Sequence, residues 1–268
     1  MNRVKIGRYE LLGSLGRGGF GNVYKAKSGN GELYALKILN PELINKPEIV
    51  SLFLNEATIL SRLDHKNICR FIEYFVNVPE YVIVLEFIEG VDLKEYMQIY
   101  PGNLIPFEQA KDIARECLSA FQYAFDMGIL HRDIKPSNIM IERGGRSVLM
   151  DFGTAVEFTE NIQHDTGRNI SASYCAPERF KLPGNYDVRS DIYSLGMVFY
   201  ELFTGRLPFN TDSIPEITSC HLNETALPAD FCNPSLSKEI SGAIKISLEK
   251  RPEERFNDFM EFKKALGF

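Results

Sequence analysis

Apolar and polar positions alternate through Tyr9–Leu15, break at a glycine cluster and resume over Val23–Ala26, the period-two pattern of half-buried strands. Leu33–Leu39 (Leu-Tyr-Ala-Leu-Lys-Ile-Leu) is an almost unbroken apolar run, which predicts a buried strand carrying one lysine. From Glu48 to Leu63 the period lengthens, with Ile49, Leu52, Phe53, Ala57, Ile59 and Leu60 recurring near helical spacing. Cys69–Phe75 and Tyr81–Phe87 return to strand-like runs, so the first lobe of the chain is expected to hold five strands and one helix. Beyond Glu89-Gly90 helical spacing dominates, predicting helices over Leu93–Ile99, Phe107–Met127, Val188–Thr204, Ser237–Ser247 and Phe256–Leu266. A short hairpin, Ile139–Ile141 with Val148–Met150, turns at the glycines of Glu142-Arg143-Gly144-Gly145-Arg146. Strand-rich followed by helix-rich order predicts an α+β chain of two lobes.

Length agrees, since 268 residues exceed the usual size of a single core. A hydrophobic content of 44% and a charged content of 25% are those of a globular domain. The net charge of −6 provides no basic face for nucleic acid. No apolar run approaches the roughly 20 residues that span a bilayer, and the N-terminus lacks a signal-peptide core. The expectation is a cytoplasmic chain with no membrane segment. Cys69, Cys117, Cys175, Cys220 and Cys232 are odd in number and show no C-x-x-C spacing, so reduced packing cysteines are expected, Cys175 being the more exposed.

Candidate chemistry starts at Gly16-Arg17-Gly18-Gly19-Phe20-Gly21-Asn22-Val23, a G-x-G-x-x-G-x-V stretch. Glycines let backbone amides approach phosphate oxygens closely. Dinucleotide folds use similar spacing, but there the glycines open a helix, whereas strand-like residues follow here. A hairpin lid over phosphates is the better reading. Lys37 lies in an otherwise apolar strand and needs an anionic partner, because a lone buried ammonium is costly. Glu56 on the neighbouring helix is the best candidate, with Glu48 and Glu42 as rivals.

The densest signal is His131-Arg132-Asp133-Ile134-Lys135-Pro136-Ser137-Asn138, followed by Asp151-Phe152-Gly153. Asp133 can accept a hydroxyl proton, and Lys135 can neutralise charge on a phosphoryl in flight. Asn138 and Asp151 offer hard oxygen ligands suited to Mg²⁺.

These stretches, in this order and closed by Ala176-Pro177-Glu178, resemble eukaryotic-type (Hanks-type) Ser/Thr protein kinases from Tyr9 to Leu266. Ser190–Met197 and Thr204-Gly205-Arg206-Leu207-Pro208-Phe209 look like the bacterial members. The resemblance implies one kinase domain over 1–268. Its N-lobe, about 1–87, would hold a five-stranded antiparallel sheet with one helix, and its C-lobe, about 88–268, would be mainly helical. It implies ATP with Mg²⁺ or Mn²⁺ as cofactors and protein Ser/Thr hydroxyls as acceptors.

By the same resemblance, Leu15, Gly16, Gly18, Gly19, Gly21 and Val23 cover the nucleotide, and Lys37 with Glu56 orients its phosphates. Leu85 guards the back pocket, the Glu86 carbonyl and Ile88 amide meet adenine, and Val23, Ala35 and Met140 wall it. Asp92 either reaches the ribose or caps a helix. Asp133, Lys135 and Asn138 are catalytic, Asn138 and Asp151 hold the metal, and His131 packs on Phe152. Ser171 stands where such kinases place a threonine bonded to the catalytic Asp and Lys. Lys135 marks the Ser/Thr type, while Ser137 departs from the glutamate of many basophilic kinases. Arg132 offers a dock for a phosphorylated activation segment. Thr166 is the preferred autophosphorylation site, which implies a transient homodimer. Glu178 is expected against Arg255, and Asp191 beneath the catalytic loop. An ATP-binding scaffold without turnover would have lost Lys37, Asp133, Asn138 or Asp151. A small-molecule kinase would lack Ala176-Pro177-Glu178.

Overall fold

The alternating segments of the first lobe pair antiparallel in one sheet. In the computed structural model, which describes residues 4–77, 79–157, 171–181 and 186–268, its strands are β1 (Lys5–Ile6), β2 (Tyr9–Arg17), β3 (Gly21–Lys27), β4 (Leu33–Leu39), β5 (Phe71–Asn77) and β6 (Glu80–Glu86). Their order is β1-β2-β3-β4-β6-β5. Five stand where alternation predicts them. The sixth, β1, has two residues, too few to leave a periodic signal. β5 starts at Phe71 rather than Cys69 because the Cys69 amide donates to the Leu149 carbonyl (2.9 Å) in the other lobe.

The run Leu33–Leu39 is apolar throughout because β4 is covered on both faces. Ala35 and Leu39 join the main core, whereas Leu36 and Ile38 join a second cluster with Ile6, Tyr9, Ala26, Val82 and Val84. Helix α1 (Pro47–Ser61) buries Ile49, Phe53, Glu56, Ala57, Ile59 and Leu60 against the first of these.

The second lobe carries α2 (Leu93–Gln98), α3 (Phe107–Asp126), α4 (Pro177–Lys181), α5 (Val188–Thr204), α6 (Ile214–Asn223), α7 (Ala229–Cys232), α8 (Lys238–Ser247) and α9 (Phe259–Ala265). The short strands β7 (Gly90–Asp92), β9 (Ile139–Glu142) and β10 (Ser147–Leu149) form one small sheet, while β8 (Ile129–Leu130) pairs with β11 (Val156–Glu157). α5 has the predicted bounds and is almost wholly buried, so it forms the axis of the lobe. α9 starts three residues later than periodicity suggests, because the Asp258 carboxylate caps it by accepting from the Glu261 amide (2.7 Å). α6 escaped prediction, since only Ile217 and His221 on it are buried and the apolar pattern is too sparse.

All five cysteines are free thiols. Cys175 corrects the expectation of greater exposure: it is 3% exposed, tucked beneath α4, while Cys220 and Cys232 are the half-buried ones. No helix among the described residues is long and apolar enough to cross a membrane.

Candidate active site

The expected site residues fall into two clusters of charge. In the first, Lys37 Nζ donates to both Glu56 oxygens at 2.7 Å and to Asp151 Oδ1 at 2.9 Å. The alternation of β4 turns Lys37 inward, and α1 delivers Glu56 from above. The rivals Glu42 and Glu48 are exposed. Burial pulls the Lys37 ammonium toward neutrality, but Glu56 and Asp151 outweigh it and hold its pKa above the ordinary lysine value. Burial likewise pushes Asp151 up, yet the Lys37 charge and hydrogen bond leave its carboxyl below the usual aspartate value.

The second cluster centres on Asp133. Its Oδ2 accepts from Lys135 Nζ (2.6 Å) and Asn138 Nδ2 (3.0 Å), and its Oδ1 accepts from the Ser171 hydroxyl (3.0 Å). Lys135 also donates to Ser171 Oγ (3.0 Å), closing a ring of three residues. A carboxylate has about four acceptor positions, so three bonds leave one on Oδ1 for an incoming hydroxyl.

The loop that presents Asp133 is braced from below. Asp191, buried on α5, accepts from the His131 amide (2.8 Å), the Arg132 amide (3.0 Å) and the Tyr186 hydroxyl. Arg132 and Asp151 are both non-glycine residues in the left-handed region, with φ of 70° and 55°. That backbone is strained and persists only where its surroundings hold it. Both His131 ring nitrogens are engaged. Its ring lies 4.7 Å from that of Phe152, its Nδ1 accepts from the Asp133 amide (3.3 Å), and its Nε2 donates to the Met150 carbonyl (3.0 Å).

The sequence profile described as "Protein kinase domain" matches residues 9–266. The chain belongs to this family. It is similar to a probable serine/threonine-protein kinase of Clostridium perfringens, 36% identical over 97% of this chain and 38% of that protein. It is similar too to the serine/threonine-protein kinase PrkC of Bacillus subtilis (37%, covering 93% of this chain and 38% of that one). A third relative is the Arabidopsis thaliana serine/threonine-protein kinase AtPK1/AtPK6 (32%, covering 94% and 52%). The chain thus spans well under half the length of the bacterial relatives named here. It is a catalytic domain of the bacterial Hanks type.

The residues expected to wall adenine belong to one apolar cluster. Ala35, Leu85 and Ile88 are buried, and Val23 and Met140 pack on the same cluster. The Ile88 amide has no backbone partner among the described residues. Asp92 caps α2 with Oδ1, accepting from the Glu95 amide (2.9 Å), and its register partner is Met140 in β9. In the β2–β3 turn, next to half-exposed Leu15, Gly16 borders open space and a Cβ on Gly18 would make an ordinary contact with the Gly21 carbonyl (3.5 Å), whereas a Cβ on Gly21 would run into the Ile38 carbonyl. Of the loop glycines, Gly21 therefore has a packing reason to be glycine.

The oxygen donors of Asn138 and Asp151 are of the kind that suits Mg²⁺. Among the described residues no three His, Cys, Asp or Glu side chains group to cage an ion. Mg²⁺ rarely asks for such a cage, taking one or two protein oxygens and completing its shell with phosphate and water. Asn138 Nδ2 donates to the Asp133 carbonyl at 2.8 Å, which fixes the amide's orientation and leaves Oδ1 with no hydrogen-bond donor among the described residues.

Sequence reasoning missed Tyr186 and Arg179. Arg179 Nη1 donates to the Arg132 carbonyl (2.8 Å), and Arg132 and Arg179 both lie over the Tyr186 ring, at 5.4 and 5.2 Å. Only the place of Arg179, directly after Ala176-Pro177-Glu178, could have marked it. Glu178 meets Arg255 as expected, through bonds of 2.8 and 2.9 Å. Thr159 and Thr166 lie outside the described residues.

Proposed function

We propose that this domain transfers the γ-phosphoryl of ATP to Ser or Thr hydroxyls of proteins, its own activation segment included. The chain acts as one catalytic unit whose smaller lobe ends near residue 87. The observation that carries the reading is the ring of Asp133, Lys135 and Ser171. A hydroxyl at the free position on Asp133 Oδ1 is aimed and relieved of its proton there, while Lys135, within reach of the same point, offsets charge on the moving phosphoryl. Ser171 bonds both Asp133 and Lys135, which are also paired directly, and so fixes the orientation of each.

Gly16 and Gly18 leave room for phosphate oxygens, Gly19 and Gly21 shape the turn, and Lys37, locked by Glu56, orients the phosphates from within. Leu85, Ala35, Val23 and Met140 enclose the base, with the Glu86 carbonyl and Ile88 amide as its polar contacts. Asn138 Oδ1 and Asp151 would hold Mg²⁺, or Mn²⁺ in its place, which neutralises phosphate charge when bound. The substrates are proteins, and autophosphorylation at Thr166 requires a transient pairing of two copies.

The test is incubation with labelled ATP and Mg²⁺, with Asp133→Asn as control. Label is expected in the protein itself or in a generic protein acceptor, and only with Asp133 intact. ATP binding without label in any protein would overturn the reading.

A further inference from the structure

One side chain outside both charge clusters touches three separate segments at the junction of the lobes. Arg146 lies in the turn leading into β10. Its Nε and Nη2 donate to the Glu142 carboxylate of β9 (3.0 and 3.3 Å), and its Nη1 donates to the Lys66 carbonyl between α1 and β5 (3.0 Å). Nη2 also lies 3.5 Å from Glu86 Oε2, at the end of β6 where the chain crosses to the second lobe.

Glu86 is held on its other side as well. Its Oε1 accepts from the Arg70 amide (2.9 Å), and its own amide donates to the Arg70 carbonyl (3.0 Å). The 64–70 loop in turn is fastened to the second lobe. Asn67 Nδ2 donates to the Ser147 carbonyl (2.7 Å), the Leu149 amide to the Asn67 carbonyl (2.8 Å), and the Cys69 amide to the Leu149 carbonyl (2.9 Å). Lying between the strands of the first lobe in sequence, this loop moves with the second. Arg146 adds a second tie between this loop and the hinge residue, beside the Arg70–Glu86 bonds.

We propose that Arg146 is a positioning residue for the nucleotide, setting the crossing strand through Glu86. The proposal rests on the ATP-binding reading above and adds to it a residue remote from the phosphates. Only a planar guanidinium serves three acceptors in three directions; an ammonium is a single point charge. The pair itself is worth little as an ion pair, since the Arg146 side chain is 30% exposed. Its effect is geometric. With Glu86 pinned, the main chain through Phe87 and Ile88 is set before ATP arrives; without Arg146, ATP must order it on binding. None of its contacts reaches Asp133, Lys135 or Asp151, so phosphoryl transfer does not pass through it.

The experiment compares the chain with Arg146→Ala, Arg146→Lys, Glu86→Gln and the Arg146→Ala/Glu86→Gln double variant. ATP affinity is measured by calorimetry without acceptor, and KM and kcat in the transfer assay. Arg146→Ala is expected to raise Kd and KM for ATP roughly three- to tenfold with kcat changed by less than about twofold. Arg146→Lys recovers part of the loss, and the double variant is no worse than Arg146→Ala alone, because both break one link. A merely structural arginine would lower the thermal midpoint without a selective change in ATP affinity. Unchanged ATP affinity in Arg146→Ala, or fully additive losses in the double variant, overturns the proposal. A chain that binds ATP but transfers nothing overturns the kinase reading alone, and the affinity comparison still decides Arg146. A chain that binds no ATP overturns both.

Discussion

Lys37 and Glu56 form a two-pronged bond across the first lobe, 2.7 Å to each carboxylate oxygen, with side chains only 9% and 1% exposed. Removing one partner of such a pair strands the other charge, at a cost of roughly 3–5 kcal/mol unless it neutralises. Lys37→Met is expected to fold with a lowered thermal midpoint and to lose transfer activity by about a hundredfold or more, since phosphate positioning goes with it. Steady-state turnover checks this, and an unchanged rate would remove Lys37 from the site.

The second buried pair makes a stability prediction free of catalysis. Arg255, whose side chain is 0% exposed, binds both oxygens of Glu178 and also donates to the carbonyls of Arg189 (2.9 Å), Lys250 (3.0 Å) and Glu249 (2.7 Å). Arg255→Ala should cost on the order of 3–5 kcal/mol in urea unfolding. Arg255→Lys should recover little, because one ammonium cannot reach five acceptors. Equal stability of the lysine variant would mean that the fork geometry is immaterial.

Periodicity made the frame legible because β4, α1 and α5 each carry long, regular apolar faces. α6 and β1 stayed hidden since one buries two residues and the other has only two. In the site, Asp133, Asn138 and Asp151 were legible as a spaced motif, and Lys37 as a charge in an apolar run. The choice of Glu56 over Glu42 and Glu48 needed the helix in place. Tyr186 and Arg146 act through contacts with segments distant in sequence, Arg132 for one and Lys66 and Glu86 for the other, which no local pattern encodes. Gly21 was read as a phosphate glycine, whereas its closest constraint is the Ile38 carbonyl.

Alanine substitutions separate those two kinds of glycine. Gly21→Ala should lower stability by about 1–3 kcal/mol through overpacking against β4 backbone, and Gly196→Ala similarly, since its Cβ meets Ser247 of α8. A Cβ on Gly16 meets open space and one on Gly18 only an ordinary contact, so the midpoints of Gly16→Ala and Gly18→Ala should stay near the parent's while KM for ATP rises. Thermal melts beside ATP titrations check the split. A Gly16→Ala variant as unstable as Gly21→Ala would contradict it.

His221, fully buried, accepts or donates at Nδ1 with the Tyr193 hydroxyl (2.8 Å) and lies among Phe180, Phe209 and Lys250. Burial, aided by the Lys250 charge, lowers its pKa from 6.5 to about 4. As pH falls below 6.5, the unfolded chain therefore takes up the proton first. Stability from this residue is intact above pH 6.5 and declines toward pH 4, by about 3 kcal/mol at most. His221→Gln should flatten the stability–pH slope in that window, read by urea midpoints from pH 7 to 4. An equal slope in both proteins would show that other groups set the acid limit.

The second apolar cluster, in which Ile6 and Tyr9 cover Leu36, Ile38, Val82 and Val84, clads the first-lobe sheet on its outer side as α1 does on the inner. A sheet clad on one side bends; one laminated on both behaves as a plate. Any tilt of the small lobe about residues 86–90 would then carry Gly16, Gly18 and Lys37 as one piece over the proposed nucleotide.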